Sequence, residues 1–203
     1  MIDLYEYEKE LYQQGFKYIG GIDESGRGPI VGPVVAACVV LPTDFTCNGL
    51  TDSKKLSAKK RDLFYDIIIE RAIGVGIGIV EAATIDKINI YEATKKAMRM
   101  ALDNTKCQVD YVLIDAMKLD LTIPSEAIIK GDSKSISIAA ASVIAKVTRD
   151  RLMIELDQQY PQYNFKKHKG YPTKENLRLL KEYGVIKEHR LSYKPVQEVL
   201  KKD

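Results

Sequence analysis

Two adjacent carboxylates, Asp23 and Glu24, stand where an apolar stretch gives way to a turn rich in glycine and proline. Carboxylates that crowd together at the end of a predicted strand repel each other, and burying them is costly unless positive charge neutralises them. A divalent cation is the usual partner for such a pair. The segment Gly26-Arg27-Gly28 follows at once, and its backbone amides and guanidinium are groups that bind phosphate and sugar. Together the two features indicate phosphodiester chemistry.

Two further aspartates occur in a similar context. Asp115 ends a predicted strand over 109–114, and Asp132 follows a short predicted strand over 127–129. Strand ends at one edge of an α/β sheet converge, so we expect the four carboxylates to meet there. Hard oxygen ligands of this kind select Mg²⁺ or Mn²⁺. Two such ions activate water and stabilise the leaving oxygen in phosphodiester cleavage.

The residues alone leave a structural interpretation equally open. Neighbouring residues of a strand point to opposite faces. Asp23 and Glu24 therefore share a site only if the strand predicted over 16–23 has ended or bulged at that point. Asp115 and Asp132 are also residue types whose side chains commonly begin a loop.

The remaining pattern predicts the elements that must position these residues. The apolar stretch over 34–41 forms a hairpin with 16–23, and a strand over 73–81 alternates apolar residues with glycine. Helices are predicted over 4–14, from Ser57 to 71, over 84–104, 136–159 and 173–183, and after Pro195. This order predicts an α/β fold in which helices pack on a sheet. We expect residues 1–203 to form a single catalytic domain, with a helical C-terminal appendage from about 160.

Composition narrows the class of protein. No run of about 18 apolar residues predicts a membrane helix, and the first ten residues lack the pattern of a signal peptide. Cys38, Cys47 and Cys107 are odd in number and widely spaced, which matches neither a zinc site nor a disulfide framework, so we expect a cytoplasmic protein. Residues 130–203 carry 16 Lys and Arg against 9 Asp and Glu. This basic third is either a polyanion-binding surface or a solvated helix face.

At this point the sequence resembles a known family. The segment 21–29 with Gly32-Pro33-Val34-Val35-Ala36-Ala37 closely resembles the opening motif of type 2 ribonuclease H, ribonuclease HII. Further resemblance follows in chain order at 51–57, 110–115, 130–132 with 137–150, 168–173 and 189–195. The resemblance covers about residues 16–196, and several long motifs in order are highly specific.

The resemblance implies an RNase H-like α/β fold, a mixed sheet flanked by helices, and an endonuclease that hydrolyses phosphodiesters. It implies that Asp23, Glu24, Asp115 and Asp132 are the catalytic acids and bind two Mg²⁺ or Mn²⁺ ions. It implies as substrates RNA–DNA hybrids and duplex DNA containing ribonucleotides, cut on the 5′ side of an embedded ribonucleotide. We expect a monomer with no membrane association. The related ribonuclease HIII branch has Glu as its fourth acid and lacks the Gly-Arg-Gly motif, whereas this chain has Asp132 and keeps Arg27.

The resemblance also implies substrate-binding residues. Gly26, Arg27 and Gly28 correspond to the motif that reads the 2′-hydroxyl of the ribonucleotide, largely through its backbone. Tyr171 corresponds to the tyrosine that contacts this sugar and packs against the next one. Lys54 and Lys55 are either a solvated pair or phosphate contacts, and the resemblance favours phosphate contact.

Two other functions agree less well with the sequence than a nuclease does. A non-catalytic nucleic-acid-binding module would also use the basic C-terminal third, but it gains nothing from four acids placed against phosphate. A nucleotide-dependent oxidoreductase or kinase is disfavoured because the glycine loop leads into a strand and no Walker sequence is present.

Overall fold

A computed structural model describes residues 4–201 of the 203-residue chain. Within that range the chain forms five strands and seven helices. In chain order these are α1 (Glu6–Gln13), β1 (Ile19–Ser25), β2 (Val34–Val40), α2 (Ala58–Arg71), β3 (Gly74–Val80), α3 (Ala82–Asp103), β4 (Tyr111–Asp115), β5 (Ser125–Ile128), α4 (Ile136–Gln159), α5 (Phe165–His168), α6 (Lys174–Tyr183) and α7 (Lys194–Leu200). Short 3₁₀ turns lie at Ser53–Lys55, Gly131–Ser133 and Pro161–Tyr163.

The strands form one mixed sheet in the order β3-β2-β1-β4-β5. The predicted hairpin of β1 and β2 is confirmed, and β3 continues the antiparallel part on the far side of β2. β4 and β5 extend the sheet in parallel on the other side of β1. β1 is therefore the central strand, which places Asp23 and Glu24 in the middle of the sheet.

Helices cover both faces of the sheet, as the fully buried strand β2 shows. Its alternate residues Ala37 and Val39 belong to an apolar cluster with α2 and α4. Ala36 and Cys38 belong to a cluster with α3 on the opposite face. This alternation is what the two-residue period of a strand requires when both faces are covered.

Glycines let the helices approach the sheet closely. A Cβ added to Gly21 in β1 would lie 2.1 Å from the carbonyl carbon of Ser137 in α4. In β3, a Cβ on Gly76 or Gly78 would lie 2.0 Å from a backbone oxygen of α3. The glycine-lined face predicted for this strand is thus the surface against which α3 packs.

Several predicted strand boundaries are wrong: β1 begins at Ile19 rather than at 16, and β4 begins at Tyr111 rather than at 109. β1 does not end at Asp23, because Glu24 and Ser25 remain in the antiparallel ladder opposite Ala36 and Val35. β5 begins at Ser125 rather than at 127, since its pairing with β4 starts there. Predicted helix starts fare better: Ser57 caps α2 through the amide of Lys60, and Thr173 caps α6.

The C-terminal helices pack on the end of α4. Met153 and Leu156 of α4 form one apolar cluster with Ile30 and Val31 after β1 and with residues of α5, α6 and α7. This continuous core supports the proposal of a single domain with a helical C-terminal region. Among residues 4–201 no helix is both long and apolar enough to cross a membrane.

Candidate active site

Three aspartates meet at the C-terminal end of the central parallel strands. β1 and β4 pair with Ile22 opposite Ile114, so Asp23 and Asp115 are the next residues along two neighbouring strands. Asp132 lies in the 3₁₀ turn Gly131–Ser133 that follows β5. One carboxylate oxygen from each aspartate lies within 4.8 Å of the other two.

Backbone amides hold two of these carboxylates in place. The amide of Gly131 donates to Asp115 Oδ1 at 2.7 Å, and the amide of Glu24 donates to Asp23 Oδ1 at 2.7 Å. The turn that carries Asp132 is therefore tied directly to Asp115. Ala116 and Lys130, which flank this contact along the chain, both have positive φ, at 51° and 57°. Such backbone strain in residues other than glycine persists only where the surrounding structure enforces it.

The aspartate cluster concentrates buried negative charge. Asp23 is only 3% exposed, and burial, then the charges of Glu24 and Asp115, raise its pKa well above the usual value. Burial and the neighbouring Asp52 likewise raise the pKa of Asp132. Carboxyl groups in this state gain most when a cation joins them. An oxygen-only donor set at this spacing fits Mg²⁺ or Mn²⁺.

Glu24 is not one of the three clustered carboxylates. β1 stays in its ladder through Ser25, yet the charge of Glu24 raises the pKa of Asp23 more than any other charge does, so the two carboxylates interact. Its Oε1 lies 3.5 Å from Nη1 of Arg27, and its buried Oε2 has no hydrogen-bond partner among the described residues. Burial raises the pKa of Glu24, Arg27 opposes this shift, and Asp115 adds to it. Its assignment as a metal ligand stays a prediction, which the orphaned oxygen supports.

Lys54 is a cation whose charge interacts with the acids of the site. It lies in the 3₁₀ turn Ser53–Lys55, which Asp52 caps by accepting from the amide of Lys54 at 2.9 Å. Burial lowers the pKa of Lys54, but the charges of Asp23, Asp52 and other acids outweigh it and raise the pKa overall. Lys55 is exposed in the same turn, and no hydrogen bond or ion pair within the described part of the chain links it to the cluster. A buried bond of 2.7 Å from Ser142 Oγ to Ser53 Oγ anchors the turn to α4.

The predicted sugar-reading residues also come together. Tyr171 lies across Gly28, since a Cβ on Gly28 would be 3.7 Å from the tyrosine ring. Gly26 has a φ of +99°, which only glycine adopts without strain. Tyr171 is 38% exposed, so its ring can meet a ligand. By contrast His168 is buried, with Nε2 2.9 Å from the carbonyl oxygen of Tyr163, so it supports local structure.

Two buried arginines that the sequence did not reveal hold this loop. Arg190 donates to the carbonyl oxygens of Gly26, Arg27 and Gly32, at 2.6, 3.0 and 3.0 Å. Arg149 donates to the carbonyl oxygens of Val31, Pro33 and Lys169 and so connects the loop to the turn before Tyr171. Both side chains are fully buried.

A signal for one of these arginines was present in the sequence. Arg149 falls on the line of Ala145 and Met153 at intervals of four, which is a buried face of α4. A charged residue on such a face requires several acceptors.

Known proteins share most of this sequence. The sequence model of the family described as Ribonuclease HII matches residues 20–196. The curated Ribonuclease HII of Bacillus mycoides (strain KBAB4) is 55% identical over 201 residues, which cover 99% of this chain and 78% of that protein. The chain belongs to the ribonuclease HII family. It is therefore an endonucleolytic hydrolase with ribonuclease H activity, in a metal-dependent family that acts on RNA–DNA hybrids.

Solved structures confirm the RNase H-like fold. The ribonuclease H2 from Pyrococcus horikoshii OT3 superposes with a TM-score of 0.79 at 24% identity, covering 91% of this chain and 98% of that chain. Bst-RNase HIII in complex with Mn²⁺ gives a TM-score of 0.67 at 16% identity, covering 94% of this chain and 71% of that one. At such identities the likeness concerns the fold alone.

Proposed function

We propose that this ribonuclease HII family member cuts duplex DNA on the 5′ side of a single embedded ribonucleotide, as well as the RNA strand of hybrids. We further propose that it leaves 5′-phosphate and 3′-hydroxyl ends with two bound Mg²⁺ or Mn²⁺ ions. The observation that carries the proposal is the three-aspartate cluster beside a loop and a tyrosine suited to one ribose.

Asp23, Asp115 and Asp132 would hold the metal, with Glu24 contributing its unpartnered oxygen. When bound, the ions supply an activated water and neutralise charge on the scissile phosphate. A neighbour of the same fold was solved with Mn²⁺, which agrees with this donor set. Without cations the cluster would repel a phosphate, so the acids are suited to catalysis rather than to simple binding.

The other residues would position the substrate. The backbone amides of Arg27 and Gly28 donate to no acceptor among residues 4–201. Because Gly28 has no side chain to block the approach, both amides are available to a 2′-hydroxyl. That group both donates and accepts hydrogen bonds. Tyr171 would add its hydroxyl to the same oxygen and its ring to the next sugar. Lys54 would hold a phosphate close to the acids, where it already lies.

A cleavage assay tests the proposal. Three matched duplexes, containing one ribonucleotide, a run of RNA or DNA alone, are incubated with Mg²⁺ or with a chelator. We expect the first two to be cut only with metal, the single-ribonucleotide duplex on the 5′ side of its ribose, and the all-DNA duplex to bind uncut. Cleavage of the hybrid without cleavage at the single ribonucleotide would refute the specificity proposed here. The monomeric state and the cytoplasmic location stay predictions, the first of which light scattering can check.

A further inference from the structure

Helix α1 lies before the residues matched by the family, yet it carries a buried carboxylate. Glu8 is 2% exposed, and no cation pairs with it among residues 4–201. A buried carboxylate without a cation is unfavourable unless hydrogen bonds and dipoles stabilise it. The hydrogen bonds that stabilise Glu8 indicate its structural role.

Glu8 binds the beginning of α4. Ser135 Oγ donates to Glu8 Oε1 at 2.6 Å, and the amide of Ser137 donates to the same oxygen at 3.0 Å. Ser135 is the N-cap of α4, and its Oγ accepts from the amide of Ile138. The negative charge therefore lies at the positive end of a 24-residue helix, which stabilises it. The amide of Ile136 donates to the carbonyl oxygen of Leu4, so a second contact joins this N-terminal segment to α4.

The same residues continue into the aspartate cluster. The amide of Ser135 donates to the carbonyl oxygen of Gly131 at 2.9 Å. Gly131 in turn donates its own amide to Asp115 Oδ1, and Asp132 is the next residue. Both backbone polar groups of Gly131 are therefore bonded: its amide to Asp115, a candidate metal ligand, and its carbonyl oxygen to Ser135, which binds Glu8. Hydrogen bonds thus connect α1 through Ser135 and Gly131 to Asp115, and Asp132 is bonded covalently to Gly131.

We propose that Glu8 is a positioning residue of the metal site, which it acts on through Ser135 and Gly131. The inference rests on the proposed metal binding by Asp23, Asp115 and Asp132. Glu8 fixes the start of α4, and this fixes the turn that places Asp132 against Asp115. Without Glu8 the turn samples other positions, so metal binding must first order it and becomes weaker.

Calorimetric titration of the metal-free full chain with Mg²⁺, in the absence of nucleic acid, tests this. Glu8→Ala should raise the Mg²⁺ dissociation constant about tenfold, as expected when a residue that orients ligands is removed. The Mg²⁺ concentration for half-maximal cleavage should rise in the same proportion, and the rate at saturating Mg²⁺ should fall by a smaller factor. Glu8→Gln keeps an acceptor oxygen for Ser135 and Ser137 and should raise the constant by less than Glu8→Ala does.

The control separates positioning from general stability. Ile68 is fully buried in α2, in the apolar cluster that extends along α4 from Ile136 to Val147, and Ile68→Val removes one methyl group from that core. It should lower the melting temperature while leaving Mg²⁺ affinity unchanged. A Glu8→Ala variant that binds Mg²⁺ as the wild type does would overturn the inference. So would an Ile68→Val variant that weakens Mg²⁺ binding as much.

A second variant covers the case in which Glu8→Ala does not fold. Ser135→Ala removes the link between Glu8 and Ser135 but leaves the bond from the Ser137 amide. It should also weaken Mg²⁺ binding, and unchanged binding would overturn the inference. Failure of the wild-type chain to bind Mg²⁺ is a different result, because it refutes the proposed metal site itself.

Discussion

Replacement of Asp115 by Asn should stabilise the metal-free protein while it removes the response to Mg²⁺. The variant keeps an oxygen that can accept from the amide of Gly131, so the turn carrying Asp132 retains its anchor. What it loses is one negative charge within 4.8 Å of two others. Two full charges at this distance repel by about 3 kcal/mol at an effective dielectric constant of 20, and by about 1 kcal/mol in water.

Two effects reduce this gain. Burial raises the pKa of Asp23, and any protonation of that carboxyl group reduces the repulsion that the substitution relieves. An amide oxygen is also a weaker acceptor than a carboxylate, a difference of about 1 kcal/mol for the bond from Gly131. The net stabilisation is therefore on the order of 1–2 kcal/mol, or about 2–8 °C in melting temperature for a chain of this size.

Thermal unfolding in chelator and in Mg²⁺ measures both effects. The wild type should melt higher when Mg²⁺ is present, because a ligand that binds only the folded state stabilises it. Asp115→Asn should melt higher than the wild type in chelator, show little further rise with Mg²⁺, and lose cleavage by orders of magnitude while it still binds the duplex. Asp120→Asn, an exposed residue of the following loop, is the matched control and should change none of these.

An Asp115→Asn variant that melts lower in chelator, keeps the Mg²⁺ response and cleaves at close to the wild-type rate would show the reasoning to be wrong. The aspartates would then be structural, and the metal would have to bind elsewhere.

Three further outcomes are expected. Tyr171→Phe should slow cleavage at a single ribonucleotide by the equivalent of one hydrogen bond, about 1–3 kcal/mol. Tyr171→Ala should slow it more, because the ring over Gly28 is lost as well. Single-turnover cleavage by Tyr171→Ala at close to the wild-type rate would contradict the sugar-reading role. Lys54→Ala should weaken duplex binding and reduce the slope of log affinity against log salt concentration by about 0.9, without moving the cleavage position. Fluorescence anisotropy measures the affinity, and the length of the products gives the cleavage position. A shifted cleavage position would mean that Lys54 specifies where the strand is cut. Burial lowers the pKa of His189 from 6.5 to about 4, so the unfolded chain takes up a proton at this residue before the folded protein does. The free energy of unfolding should therefore be highest above pH 6.5 and fall by up to about 3 kcal/mol as the pH drops towards 4. Denaturant unfolding at pH values from 7 to 4.5 should show that the difference in the free energy of unfolding between the wild type and His189→Asn becomes smaller. A difference that does not change with pH would refute this.

Local chemistry made several elements readable from the sequence. Ser57 and Thr173 predict helix starts because their side chains satisfy the first free amides, whatever the rest of the fold does. The hairpin of β1 and β2 follows from two apolar stretches separated by a glycine- and proline-rich turn. Asp115 could be predicted to end β4 because the apolar stretch of that strand stops there. The family resemblance, confirmed over residues 20–196, rests on equally local motifs.

Tertiary structure alone decided how these residues meet. The end of β1 could not be predicted because Glu24 and Ser25 stay in the sheet through their partners on β2. Arg190 binds the carbonyl oxygen of Gly26 across 164 positions, and Glu8 binds Ser135 across 127. Such contacts leave no periodic signal, because the acceptors are backbone atoms or a helix end that come close only when the sheet and α4 pack together. The sequence therefore identified the candidate residues, whereas the packing of distant segments decided which of them lie together and what holds them there.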